Sequence, residues 1–259
     1  MVTNGSEDGT RPEGRVPSAS APAGPEANGD TPLLRLENIG KSFGPVQALS
    51  GITLDIPAGK VTALAGDNGA GKSTLIKCIA GIYQPTTGHL VWKGKPKHLH
   101  SPRDATNLGI ATVYQDLALA DLRVTTVRSI RQPVGSLSGG QRQAVAVAKA
   151  VMQEAKLVIM DEPTAALGVT QTELVLSLIE QLASTGHAVL VVSHNLTDVF
   201  RVADRLAVLY LGRLAAVGPK EEFDTASVVD LMTTGASARL RNGGSEPAAS
   251  GNVSSGAEG

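Results

Sequence analysis

The sequence predicts an α/β fold built on a mainly parallel sheet with helices on both faces, and three observations carry that reading. Short apolar runs recur along the chain between stretches of helical spacing, so strands alternate with helices. The runs Val61 to Ala65, Leu157 to Met160 and Ala188 to Val192 are almost continuously apolar, as strands covered on both faces are. Each ends on a glycine or on reactive polar residues (Gly66, Asp161-Glu162, Ser193-His194), at the strand end where open α/β sheets bind ligands.

Taken in order, Leu33 to Ile39 alternates weakly and Ile52 to Ile56 alternates well, so both read as strands. Val61 to Ala65 runs into a glycine loop, which opens a helix from Gly71 to Ala80. His89 to Lys93 and Ala111 to Tyr114 are further strands, the second ending at Gln115. Gly139 to Gln153 reads as a helix and Leu157 to Met160 as a buried strand. Thr170 to Ala183 is amphipathic and helical, Ala188 to Val192 is a strand, and Asn195 N-caps a short helix to Val202. Leu206 to Leu211 and Arg213 to Val217 form a strand pair turned at Gly212. No internal repeat is evident, so a single copy of this arrangement is expected.

Composition bounds the rest. The chain has 259 residues, 42% of them hydrophobic, with a net charge of −1 that argues against an extended nucleic-acid surface. Cys78 is the single cysteine, which excludes an intrachain disulfide and favours a reducing compartment. No stretch approaches the roughly 20 apolar residues that span a bilayer, and Met1 to Asp30 has no apolar signal segment. A cytoplasmic protein is expected, reaching a membrane only through a partner. Residues 1–32 and 235–259, rich in Gly, Ala, Ser and Pro, are read as disordered tails around a folded domain at 33–234. Trp92 reads as strand packing, Lys93, Lys95 and Lys97 as a solvated edge, and His98 and His100 carry no metal-site spacing.

The chemistry is concentrated in a few motifs. Gly66-Asp67-Asn68-Gly69-Ala70-Gly71-Lys72-Ser73, continued by Thr74, matches G-x-x-x-x-G-K-[ST]. Its glycines let backbone N–H groups face phosphate oxygens, Lys72 brings a point charge to the outer phosphates, and the Ser73 hydroxyl can ligate Mg²⁺. The strand Leu157 to Met160 delivers Asp161 to the metal shell and Glu162 to an attacking water. Leu137-Ser138-Gly139-Gly140-Gln141 is a second glycine loop opening a helix, hence a second phosphate-facing surface.

These motifs, in this order, resemble the ATP-binding cassette (ABC) ATPases, members of the P-loop class. Val113 to Leu119, Met160 to Gly168 and Val192-Ser193-His194-Asn195 are similar to the ATPase subunits of bacterial monosaccharide importers, the ribose, xylose and fructose branch. The resemblance implies an antiparallel β subdomain beside the core sheet, and ATP with Mg²⁺ as ligands. It places Phe43 against adenine, Gln115 at metal and water, and His194 at the terminal phosphate. It makes Leu137 to Gln141 the loop that closes on ATP held by a second cassette, in a homodimer. It makes Thr164 to Gly168 the subunit-contact loop, where Gly168 stands in place of a frequent aspartate. The implied partners are an integral membrane sugar permease and, indirectly, an extracytoplasmic sugar-binding protein, with the cassette peripheral at the inner face of the plasma membrane.

One departure stands out. Only the 22 residues Asp116 to Leu137 separate Gln115 from Ser138, where the family inserts a helical lobe. Three helices with short connections need about 40–50 residues, so most of the lobe is expected to be missing from the reduced segment 116–137. A truncated or regulatory module that binds ATP without driving transport therefore stays open. A soluble ABC protein acting on ribosomes or DNA fits less well, because such proteins carry paired cassettes or long inserted arms.

Overall fold

The structure, a computed structural model, describes residues 31–113, 155–165 and 167–239. Among the described residues, ten strands form two sheets. The first is antiparallel, in the order β2-β1-β4-β5: β1 (Leu34–Phe43), β2 (Val46–Ile56), β4 (Thr87–Trp92) and β5 (Lys95–Lys97). The second has six strands in the order β10-β9-β3-β8-β7-β6. In it β3 (Val61–Gly66), β6 (Ile110–Val113), β7 (Leu157–Asp161), β8 (Ala188–Val192) and β9 (Arg205–Tyr210) run parallel, and β10 (Arg213–Pro219) is an antiparallel edge. The helices are α1 (Lys72–Ile79), α2 (Pro102–Leu108), α3 (Val169–Ser184), α4 (Leu196–Val202) and α5 (Thr225–Thr234).

The near-continuous apolar runs fill both faces of the parallel sheet. Side chains alternate along a strand, so Leu157 and Ile159 of β7 enter one core and Val158 and Met160 the other. The first core also takes Leu190 and Val192 of β8, Leu75, Ile76 and Ile79 of α1, and the inner face of the antiparallel sheet (Leu34, Leu36, Ile52, Leu54, Ile56). The second is closed by Val175, Leu176, Ile179 and Leu182 of α3. A third, under α4 and α5, gathers Ala63, Ala65, Val199, Leu206, Val208, Val228 and Leu231. Helices therefore cover both faces as expected, but α1 shares its face with the antiparallel sheet.

The first two strands are longer than their alternation suggests, and Phe43 ends β1 inside the strand pair instead of preceding it. Register shifts between Leu36 and Ile39, Ile39 and Lys41, and Lys41 and Ser42 break the period of two, which hides the outer half of the hairpin. The sequence reading also left β5, α2 and α5 unassigned. Both helices carry caps: Ser101 with Asp104 around Pro102 opens α2, and Asp224 with Ser227 opens α5, which Gly235 closes. The expected helix Gly139 to Gln153 and the reduced lobe 116–137 lie outside the described residues.

Cys78, on the buried face of α1, is 1% exposed, and burial pushes its thiol up to about 11. Reactivity follows the thiolate, so at pH 8 a thiol-specific reagent is expected to label the native chain at least about a hundredfold more slowly than the denatured chain. Equal rates would mean that the core around α1 opens freely.

Candidate functional site

Strand order assembles the site. Because β8 lies between β3 and β7, the residues after β8 stand between the glycine loop after β3 and the acidic pair at the end of β7. Three segments distant in sequence therefore reach one edge of the sheet, at its C-terminal ends.

The glycine loop is tightly fixed. A Cβ on Gly66 would stand 2.7 Å from the Leu209 carbonyl oxygen. Gly71 has φ +106, and a Cβ there would meet the Ala48 carbonyl at 2.9 Å. Gly212 N–H donates to the Ala70 carbonyl at 2.9 Å, and Ser50 N–H donates to the Gly212 carbonyl at 2.8 Å. Both β2 and the β9–β10 turn thus brace the loop from outside. Asp67, Asn68 and Gly69 remain exposed, and α1 opens behind Gly71 with no side chain capping its first turn. An uncapped helix start behind a curled glycine loop is a cradle for an anion.

Lys72 is 8% exposed. Its ammonium donates to the carbonyls of Gly66 at 2.7 Å and Asp67 at 2.9 Å, which satisfies a buried charge with the loop's own oxygens. Ser73 is exposed on the first turn of α1, and Asp161 is half-buried at the end of β7. A hydroxyl and a carboxylate, both hard oxygen donors, fit Mg²⁺, which binds through few protein ligands together with substrate phosphates.

Glu162 follows directly, at φ +50, a left-handed conformation unusual for a residue with a side chain. Its N–H donates to the Val192 carbonyl at 2.8 Å, which ties the turn after β7 to the end of β8. The Glu162 side chain is 17% exposed, and its Oε1 lies 2.8 Å from Nδ1 of His194. A carboxylate only accepts, so Nδ1–H of His194 donates and Nε2 is left for a ligand. Ser193 Oγ donates to the other Glu162 oxygen at 3.5 Å.

Phe43 is 42% exposed and meets Tyr83 edge to face, with ring centroids 5.2 Å apart. Lys41 Nζ lies 5.1 Å from the Phe43 centroid and donates to the Gln84 carbonyl, so the ring is anchored on one side and open on another. Gln115 and Leu137 to Gln141 lie outside the described residues. The sequence reading missed Tyr83, which no local pattern marks. It also missed Asp198, although Asn195-x-x-Asp198 has the spacing of a capping pair, and it placed Thr164 in the subunit-contact loop without its bond to Asp198.

Comparison with known proteins decides the family. The family model described as ABC transporter matches residues 49–127 and 110–165. A xylose/arabinose import ATP-binding protein of Sulfolobus acidocaldarius is 41% identical, over 82% of this chain and 98% of that protein. The chain belongs to the ABC transporter family. It is one of the family's ATP-hydrolysing cassettes. A fructose import ATP-binding protein of Rhizobium meliloti is 38% identical over 78% of this chain and 94% of its own length. A ribose import ATP-binding protein of Rubrobacter xylanophilus is 37% identical, and there the match spans 47% of the longer relative. Among solved structures, a nucleotide-free ATP-binding cassette of an ABC transporter superposes with a TM-score of 0.65 at 26% identity, covering 73% of this chain and 92% of that one. A cassette in its ADP conformation gives 0.66 at 25% identity, covering 79% and 96%.

Proposed function

We propose that the cassette powers uptake of a monosaccharide through a separate membrane permease, assisted by an extracytoplasmic sugar-binding protein, and that two copies pair to do so. The sugar-import names of the relatives support the branch. The Glu162–His194 pair, at 2.8 Å beside the glycine loop, is the observation that carries hydrolysis in preference to binding alone. A pure binder gains nothing from a half-buried carboxylate held in a left-handed turn against a histidine.

In this reading the loop amides and Lys72 hold the triphosphate, and Phe43 offers its open face to adenine. Ser73 and Asp161, with Gln115, would hold Mg²⁺, which neutralises charge on the phosphate oxygens. Glu162 orients water toward the γ-phosphate and takes its proton, while Lys72 and His194 stabilise the developing charge. Leu137 to Gln141 would close on the partner's ATP, and the cassette would work from the cytoplasmic face. Among the described residues no helix is long and apolar enough to cross a membrane.

A second reading, binding without coupled transport, rests on length. The Sulfolobus alignment runs over 245 positions yet covers 82% of a 259-residue chain, so that relative carries residues this chain lacks. This supports a shortened segment at 116–137, between the tails 1–32 and 235–259 and inside a cassette at 33–234. Reconstitution with a cognate permease separates the readings. ATP-driven sugar uptake with turnover matched to hydrolysis supports the importer; ATP binding with uptake at the level of a nucleotide-free control supports the uncoupled module.

A further inference from the structure

Asp198 carries a carboxylate that the reading above does not use. It lies on α4, one turn beyond His194, and is 8% exposed. Thr164, in the turn after Glu162, is also 8% exposed, and its hydroxyl donates to Asp198 Oδ2 at 2.6 Å. Asn195 Nδ2 donates to the same oxygen at 3.0 Å, while Asn195 Oδ1 accepts from the amides of Thr197 and Asp198. A buried carboxylate holding two side-chain donors is a strong contact, and leaving it unpaired is expensive.

The placement of this triad gives it a consequence. Thr164 follows Glu162 by two residues, and the turn between them is closed by Ala165 N–H donating to the Glu162 carbonyl at 3.2 Å. Asn195 follows His194 directly, and its N–H donates to Ser193 Oγ at 3.0 Å. Besides the Glu162 N–H bond to the Val192 carbonyl, side chains join the two loops in two places: at Glu162, with His194 and Ser193, and at Asp198, with Thr164 and Asn195. The Glu162–His194 contact is half open to water, with His194 63% exposed, and contributes little fixity of its own. The buried joint adds side-chain fixity to what the Glu162 N–H bond to Val192 supplies.

We propose that Thr164, Asp198 and Asn195 form a positioning latch that holds the loop bearing Glu162 in register with the loop bearing His194. The proposal rests on the reading of those two residues as the hydrolytic pair. It makes Thr164 and Asp198 positioning residues, which act through Glu162 and His194 without touching nucleotide.

The test uses the full-length chain. Thr164→Val keeps the side chain's shape and removes the donor. Its kcat for ATP is expected to fall roughly ten- to a hundredfold, the scale on which small misplacements act, with KM and ATP affinity unchanged within about threefold. Thr164→Ser, which restores the hydroxyl, should recover most of the rate. A role in stability alone would lower kcat only in proportion to the fraction folded, measured as ATP-binding stoichiometry. If Thr164→Val folds poorly, Thr164→Val with Asp198→Leu replaces both partners by apolar groups and keeps the core filled; turnover should stay low although folding recovers. Hydrogen exchange gives a readout that does not need hydrolysis: Thr164→Val should raise exchange in peptides spanning Ser193 to Asp198 and leave those of the glycine loop unchanged. Unaltered kcat, or unaltered exchange where the wild type turns over too slowly to measure, overturns the latch. Glu162→Gln run in parallel keeps the two claims apart, because turnover that survives that change overturns the hydrolytic reading instead.

Discussion

Lys72→Ala is expected to abolish ATP hydrolysis and to weaken ATP binding by about a hundredfold or more. At contact distance and an effective dielectric near 20, one ammonium and one phosphate charge attract by about 4 kcal/mol, which part of the ammonium's desolvation offsets. Losing even about 3 kcal/mol of that is roughly a hundredfold in affinity. The structure sharpens the expectation. Lys72 sits inside the loop, donating to the Gly66 and Asp67 carbonyls, so its ammonium is held beside the phosphate cradle. Alanine removes the charge and also leaves those carbonyls without their donor. Lys72→Arg should rescue poorly, since a planar guanidinium cannot take the place of a compact ammonium between two carbonyl oxygens. Calorimetric titration with ATP and a phosphate-release assay check both statements. Wild-type affinity in Lys72→Ala would remove Lys72 from the nucleotide site.

What the sequence made legible follows from how each feature is encoded. The glycine loop was readable because its backbone demands glycine: Gly66 has no space for a Cβ against the Leu209 carbonyl, and Gly71 has φ +106. Asp161, Glu162 and His194 were readable because each follows a strand whose neighbours are all apolar, so a polar residue there must be at the sheet's edge. The parallel order of β3, β8 and β7 then brought Glu162 and His194 to 2.8 Å, a distance no spacing of 32 residues specifies. Other features are written across elements and leave no local mark. The bracing of the loop by Ala48 and Gly212 depends on how the antiparallel sheet docks. Tyr83 matters to Phe43 only because the end of α1 returns beside β1. Thr164 and Asp198 sit 34 residues apart and meet only once β7 and β8 are paired. The outer half of the β1–β2 hairpin was hidden for a different reason: bulges shift which face each side chain takes.

Glu162→Gln is expected to bind ATP with an affinity within about threefold of wild type and to hydrolyse it roughly 10²- to 10⁴-fold more slowly, the range general-base removal spans. Glutamine has the length of glutamate and can keep one oxygen toward His194, so the joint between the two loops survives. What disappears is the negative charge that orients water and accepts its proton. The backbone makes this substitution unusually clean. Glu162 is held at φ +50, which costs on the order of 1–3 kcal/mol, and Gln meets the same cost, so the strain cancels between the two proteins. A change in turnover with no change in melting temperature therefore reports chemistry and not folding. Single-turnover hydrolysis measured beside ATP affinity separates the outcomes. Slow hydrolysis with intact binding places the base at Glu162; unchanged hydrolysis assigns the proton to another group and leaves the Glu162–His194 contact a structural one.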